Sequence, residues 1–272
     1  MPKAPRIRLQ NGTELRCLDA FEAAFLEKEM GQYFEGGISL KPGATVLDVG
    51  ANIGMFSAEV SHRLQGDVQI FAFEPMPPVF EALKENAGLL AGSIEALPYG
   101  LGAKDETLEF TYFPLMSCLS SAHRGQTDMK AERARVAASL VQVIRSGMVQ
   151  PKMAKWPLPM LEGFAQSYVA TRMKGQKHPA QIRTLSRFLN ERNLPCVDLL
   201  KVDVEGAEEA VLQGIGEEHW PRIQQIVVEL EHFEKRLDSV GGDLQDRGFV
   251  VKTLQEEAQA AGDYGLVFGV RG

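Results

Sequence analysis

The 272-residue chain is predicted to adopt an α/β fold, and three features point to it. Apolar, β-branched runs recur and end in charge: TVLDVG at 45–50, VQIFAFE at 68–74, VDLLKVDV at 197–204 and IQQIVVEL at 223–230. Runs of this kind, apolar at nearly every position, suit parallel strands buried on both faces. Stretches with helical spacing alternate with them, such as 55–64, with Met55, Phe56, Val60 and Leu64 on one side. The composition, 44% hydrophobic and 24% charged, is that of a globular domain with a substantial core.

Taken in order, residues 7–18 read as a short hairpin turning at Asn11-Gly12. Residues 21–34 follow as an amphipathic helix broken near Gly31. The segment 1–43 thus forms an N-terminal cap ahead of the central strand. Residues 79–90 read as a helix and 94–101 as a third strand, followed by a short strand at 108–113. From residue 122 to 178 the character changes, with ten Lys/Arg against three acids on a chain of net charge −7. Pro151, Pro157 and Pro159 break this stretch. It reads as a helical insertion, 122–180, forming a lid within one domain that spans 1–272. The α/β pattern resumes with a helix beginning at Ile182. Residues 233–245 read as the last helix, and 249–254 and 264–270 as two terminal strands forming an antiparallel pair.

The loop after the first long strand carries Gly50, Asn52 and Gly54 behind Asp48. Glycine tolerates positive φ and lets a ligand approach the main chain. The helix N-terminus that follows offers backbone amides to a polar ligand. Glu74 closes the second strand, 24 positions after Gly50. An acid at the tip of that strand accepts hydrogen bonds from both hydroxyls of a ribose. Together these predict a ribose-bearing cofactor, with Gly100 and Leu101 placed beside its adenine. Ligands in open α/β sheets sit beyond the carboxyl ends of strands. That places Asp203 and Glu205 where chemistry would occur, with Lys201 on the same strand parity.

The excess of acid argues against nucleic acid as the main partner. No run is long and uncharged enough to span a bilayer, and the start, MPKAPRIRLQ, has no apolar signal core. Cys17, Cys118 and Cys196 show no paired or metal-ligand spacing, so a reducing, cytoplasmic setting is expected. The basic insertion suits an acidic substrate or an acidic partner protein. Oligomeric state has no signature in the chain.

In this order the motifs VLDVGANIG, FAFEP, TYFP, LLKVDVEGAE and IVVEL closely resemble the FkbM family of S-adenosylmethionine-dependent methyltransferases. FAFEPMPPVFEAL and TYFPLMS resemble the O-methyltransferase domains of polyketide and non-ribosomal peptide assembly lines. The resemblance covers about residues 9–248 and is weak in the insertion. It implies a class I methyltransferase sheet of seven strands, mostly parallel, with the last antiparallel. S-adenosylmethionine would lie against Gly50, Asn52 and Gly54, with Glu74 on its ribose. The acceptor would be a small molecule or a group tethered to a carrier protein. Those relatives place a histidine and then an acid after the fifth strand; here the order is Glu231-His232. The general base is therefore sought among Asp203, Glu205, Glu231 and His232. Asp203, Glu205 and Glu229 are chemically able to hold magnesium, but two strand ends do not establish a metal. Two alternatives stand beside this reading: a cofactor-binding protein without a working base, and a nicotinamide-dependent oxidoreductase. Against the latter, GANIG lacks GxGxxG.

Overall fold

The central strand, β3 (Ala44–Val49), alternates Val46 and Asp48 on one face with Leu47 and Val49 on the other. All four are fully buried, so the strand is enclosed from both sides. The structure, a computed structural model, describes residues 5–113, 129–145, 152–172, 174–255 and 263–272. Around β3 lie β4 (Val68–Phe73) and β5 (Ser93–Leu97) on one side. On the other lie β9 (Leu199–Val202), β10 (Gln225–Glu231), β12 (Tyr264–Arg271) and β11 (Phe249–Leu254). The order is β11-β12-β10-β9-β3-β4-β5. Only β12 runs antiparallel to its neighbours in this sheet. The chain leaves β3 toward β4 but returns later to β9 on the opposite side. That reversal opens a crevice at the carboxyl ends of β3 and β9.

Two helical layers cover the sheet. On one face Leu47, Val49, Leu200, Val202 and Val228 pack with α6 (Leu185–Arg192), α7 (Glu208–Gln213) and α8 (Phe233–Asp246). On the other, Val46, Leu199 and Val227 meet α2 (Met55–Arg63), α3 (Pro77–Ala87) and Tyr33. Tyr33 belongs to a 3-10 turn, Gln32–Phe34, after α1 (Ala20–Glu29). The N-terminal hairpin is formed by β1 (Arg6–Arg8) and β2 (Glu14–Arg16).

Two sequence expectations require correction here. The strand proposed for 94–101 splits: β5 stays in the main sheet, while β6 (Gly100–Leu101) pairs elsewhere. Its partner, β8 (Gln176–Arg183), also pairs antiparallel with β7 (Glu106–Tyr112). Residues 176–180, assigned to the helical insertion, therefore lie in a strand, and the helix expected from Ile182 begins at Leu185.

The described part of the insertion contains α4 (Met129–Arg145), a 3-10 turn and α5 (Leu158–Arg172). Ala137, Ala165 and Val169 pack together on Phe113. Tyr168 hydrogen-bonds Asp19 at 3.3 Å, and the Arg172 guanidinium stacks 3.4 Å from the Tyr168 ring centre. These contacts join the insertion to the N-terminal segment. Residues 122–128, 146–151 and 173, also assigned to this region, lie outside the described residues. Among the described residues no helix is long and apolar enough to cross a membrane.

Candidate active site

The glycine turn is shaped by close packing. Gly50 has φ +77°, and a Cβ there would lie 1.7 Å from the Asp203 carbonyl oxygen. Gly54, at φ +89°, starts α2 in the left-handed region. The amides of the turn itself are engaged within the protein. Gly50 and Ala51 donate to the Phe73 carbonyl, Gly54 to that of Ala51, and Ile53 to the Asn52 side chain. The Asn52 amide donates to Glu74 Oε2 at 3.2 Å. The turn therefore offers shape and a fixed path, and the amides of residues 50–54 donate within the protein.

Glu74 is the polar anchor. It is 7% exposed, and Oε1 accepts from the Met76 amide at 2.8 Å. Burial nevertheless pushes its pKa up to about 7, despite these two amide donors and the nearby Lys201. A desolvated carboxylate at a strand tip is well suited to hydroxyl donors from a ribose. Gly100 and Leu101 are buried in the β6–β8 ladder, with Gly100 beside Pro75. They lie behind the Glu74 corner, and Leu101 packs in the core.

Asp48 is fully buried and accepts from the Ser57 hydroxyl at 2.7 Å. Its other oxygen lies 3.3 Å from Lys201 Nζ. Asp48 therefore supports Lys201 beneath the turn and has no surface open to a ligand. Lys201 is 3% exposed and donates to the Gly50 carbonyl at 2.9 Å; its ammonium also lies 3.2 Å from Asp203 Oδ2. Burial alone would lower the Lys201 pKa, but Asp203 and Asp48 outweigh it and hold the pKa above the ordinary value. Asp203 follows β9 directly, its side chain one-quarter exposed.

Tyr33 and Glu229 enter this group from distant segments. The Tyr33 hydroxyl donates to Glu229 Oε2 at 2.5 Å and lies 3.2 Å from Asp203 Oδ2. In the sequence Tyr33 registers only as an apolar position of a helix, so nothing local marks this role.

The candidate bases separate into two places. Because β9 ends at Val202, strand alternation does not extend to Glu205, which has φ +55°. Glu231 ends β10, and its Oε2 lies 3.2 Å from where a Gly206 Cβ would stand. The 205–206 turn and Glu231 are thus neighbours. His232 is past the strand, at φ +53°, with Nδ1 2.8 Å from Asp263 Oδ2. Asp263 has no signal in the sequence beyond a loop position. Among the described residues no group of three or more His, Cys, Asp or Glu is arranged to hold a metal ion.

The seven-strand order, the switch point at β3 and β9, and the buried acid beyond a glycine turn define a class I methyltransferase fold. The chain belongs to the FkbM methyltransferase family, because the Methyltransferase FkbM domain model matches residues 48–257. The 31-O-demethyl-FK506 methyltransferase FkbM of Streptomyces tacrolimicus is 31% identical over 92% of this chain and 90% of its own length. The AMB antimetabolite synthetase AmbE of Pseudomonas aeruginosa is 29% identical over 97% of this chain, which spans only 12% of that protein. Among solved structures, Methyltransferase FkbM from Methylobacillus flagellatus has a TM-score of 0.47 at 13% identity, over 86% of this chain and 45% of that one. The cofactor is S-adenosylmethionine. Family membership sets aside the nicotinamide alternative.

Proposed function

We propose that the chain transfers a methyl group to the oxygen of a hydroxyl-bearing biosynthetic intermediate, with His232 as general base. The observation that carries this reading is the 2.8 Å contact between His232 Nδ1 and Asp263 Oδ2 at the carboxyl end of β10. An acid accepting from Nδ1–H fixes the tautomer whose Nε2 is the acceptor. A neutral hydroxyl needs such an acceptor as it attacks. Oxygen as the acceptor atom is supported by the Streptomyces relative, named for a 31-O-demethyl substrate. A biosynthetic setting is supported by the similarity to a segment of the AmbE synthetase.

Glu74 and the Gly50–Gly54 turn would hold the cofactor, which supplies an electrophilic methyl group on a sulfonium. The rest of the step belongs to the chain. Orientation of the acceptor against the carboxyl ends of β9 and β10 accounts for much of the acceleration. His232 Nε2 takes the hydroxyl proton while the new oxygen–carbon bond forms and the methyl–sulfur bond breaks, its electron pair returning to sulfur. Under this reading the basic insertion covers the acceptor and limits access of water. Lys152 and Lys155, both exposed on it, suit an acidic carrier protein.

The test is product mass spectrometry with labelled cofactor, offering a hydroxyacyl group on an acidic carrier protein and its free analogue. A labelled methyl ether from either acceptor supports the reading, and preference for the carrier form supports tethering. Label on nitrogen or carbon, or no transfer to either acceptor, overturns it.

A further inference from the structure

Among the described residues five large apolar side chains are exposed, and three of them, Trp156, Leu158 and Met160, fall within five positions at the start of α5. Exposed apolar residues are ordinary singly, whereas a cluster with a charged rim marks an interaction surface. Met160 shares a row of α5 with Phe164, Tyr168 and Arg172 at four-residue spacing. Trp156, just ahead of the helix, meets the Phe164 ring edge-on at 6.5 Å and 81°, and Phe164 packs on Tyr168 at 5.6 Å. The row is open at its start, with Met160 55% and Trp156 38% exposed, and closes where Arg172 stacks on Tyr168. Pro157 and Pro159 stiffen the open end, so these side chains are presented with little backbone freedom to lose.

The rim is basic. Arg145 donates to the Ala154 carbonyl at 3.0 Å, which brings the end of α4 beside the approach to Trp156. Arg145, Lys152 and Lys155 are all exposed, and none forms an ion pair with another described residue. Between 145 and 172 the chain has a single acid, Glu162, whose position falls on a different side of α5 from Met160 and Phe164.

We propose that this face, Trp156, Met160 and Phe164 rimmed by Arg145, Lys152 and Lys155, is the docking surface for an acidic carrier protein. The inference rests on the carrier-tethered acceptor of the proposed function and assigns its recognition to one end of the insertion. Carboxylates of the partner meet the three cations and steer its approach, while the apolar row supplies a centre from which water is excluded. Two copies of this chain meeting through the same face would set like charges against one another. A lipid surface draws in a helix along its broad apolar side. Here that side, Leu161, Ala165 and Val169, is buried within the insertion. What remains is a narrow row, about 12 Å long from Met160 to Tyr168, which suits a single element of a protein partner.

Calorimetric titration of the full chain with an unacylated acyl carrier protein tests docking apart from catalysis. Trp156→Ala and Met160→Ser should each weaken binding about 10- to 30-fold. Lys152→Glu and Lys155→Glu together should weaken it about tenfold and flatten its salt dependence. Val250→Ser removes an exposed apolar side chain on edge strand β11 and should leave binding within about twofold. Retained affinity for S-adenosylhomocysteine in each variant separates a lost surface from a lost fold. Should Trp156→Ala fail to fold, the exposed Met160→Ser carries the same comparison. No binding by the wild type, or equal binding by the wild type and the face variants, overturns the proposal. Capture on phosphatidylserine vesicles in place of the carrier, or self-association abolished by the same variants, gives the face another occupant and also overturns it. Docking without methyl transfer to a carrier-bound hydroxyacyl group would support this surface and fail the acceptor reading. Transfer to a carrier that the face variants bind normally would overturn the surface and leave that reading intact.

Discussion

Gly50 and Asp203 touch through their main chains: a Cβ on Gly50 would sit 1.7 Å from the Asp203 carbonyl oxygen. The contact joins the ends of β3 and β9 where the crevice opens. It also fixes the Gly50 carbonyl that receives Lys201 at 2.9 Å. Gly50→Ala must push the two strands apart and hold alanine at φ +77°. Overpacking costs about 1–3 kcal/mol, with about 1–2 kcal/mol more for left-handed strain. At this chain size the melting temperature should fall by roughly 5–15 °C. The thermal shift with S-adenosylhomocysteine should shrink with it. Differential scanning fluorimetry checks both, and a variant with the wild-type melting point and ligand shift would contradict the packing argument.

With Glu74 as the ribose acceptor proposed above, stability and cofactor affinity should depend on pH in opposite directions. Burial raises its pKa from 4.5 to about 7 in the folded chain. A raised carboxyl pKa favours the folded state when protonated, so that stabilisation is complete below the unfolded value and lost as pH rises through about 7. The loss is of order 3 kcal/mol at most. Glu74→Gln should therefore melt higher than the wild type at pH values above 7, with the difference vanishing in acid. Under the proposed reading the charged form accepts the cofactor's hydroxyls, so wild-type affinity should weaken as pH falls below about 7. The variant should bind about 10- to 100-fold more weakly above neutrality and show a flatter pH profile. Titration calorimetry across this range reads both effects.

Much of this arrangement is legible in the chain because its strands are buried on both faces. Val46/Asp48, Leu199/Lys201 and Val227/Glu229 alternate at period two, so the change from apolar to charged can be read residue by residue. Glu74 is marked by its strand and its distance from Gly50. The Tyr33 contacts are not legible, since its carboxylate partners lie 170 and 196 positions away. Nor can the loop sequence reveal that its amides are consumed, because the Phe73 carbonyl belongs to the neighbouring strand. Strand β8 escapes for a different reason. QKHPAQIR is polar and half exposed, and its Pro179 pairs only with Glu109 of β7, where a missing amide is tolerated at an edge.

Arg236 connects the end of β10 to α7. It donates to buried Glu208 at 2.7 Å and to the Glu231 carbonyl at 3.2 Å. Burial raises the Glu208 pKa even though Arg236 and the Gly206 amide oppose it. Arg236→Met leaves a buried carboxylate without its cation, at a cost of about 3–5 kcal/mol near neutrality. The loss should lessen as pH falls, because a protonated Glu208 needs no partner. Adding Glu208→Gln should restore much of the melting temperature. A single variant with wild-type stability at neutral pH would show that the pair contributes little.

His232 and Glu231 compete for the role of base, and the structure separates them. Glu231 lies beside Gly206, while His232 turns out of the strand at φ +53° to meet Asp263. His232→Ala should lower kcat by about 10²- to 10⁴-fold, the usual contribution of a positioned base. Its cofactor affinity should stay within about twofold, because Glu74 and the glycine turn are untouched. Asp263→Asn should lower kcat less, by about 10- to 100-fold, through loss of the fixed tautomer. If Glu231→Gln produces the larger loss while His232→Ala is nearly neutral, the base is Glu231 and the His232–Asp263 pair is structural. If both retain full activity, neither is the base, and an acceptor already ionised in solution, such as a carboxylate, becomes the better description of the substrate.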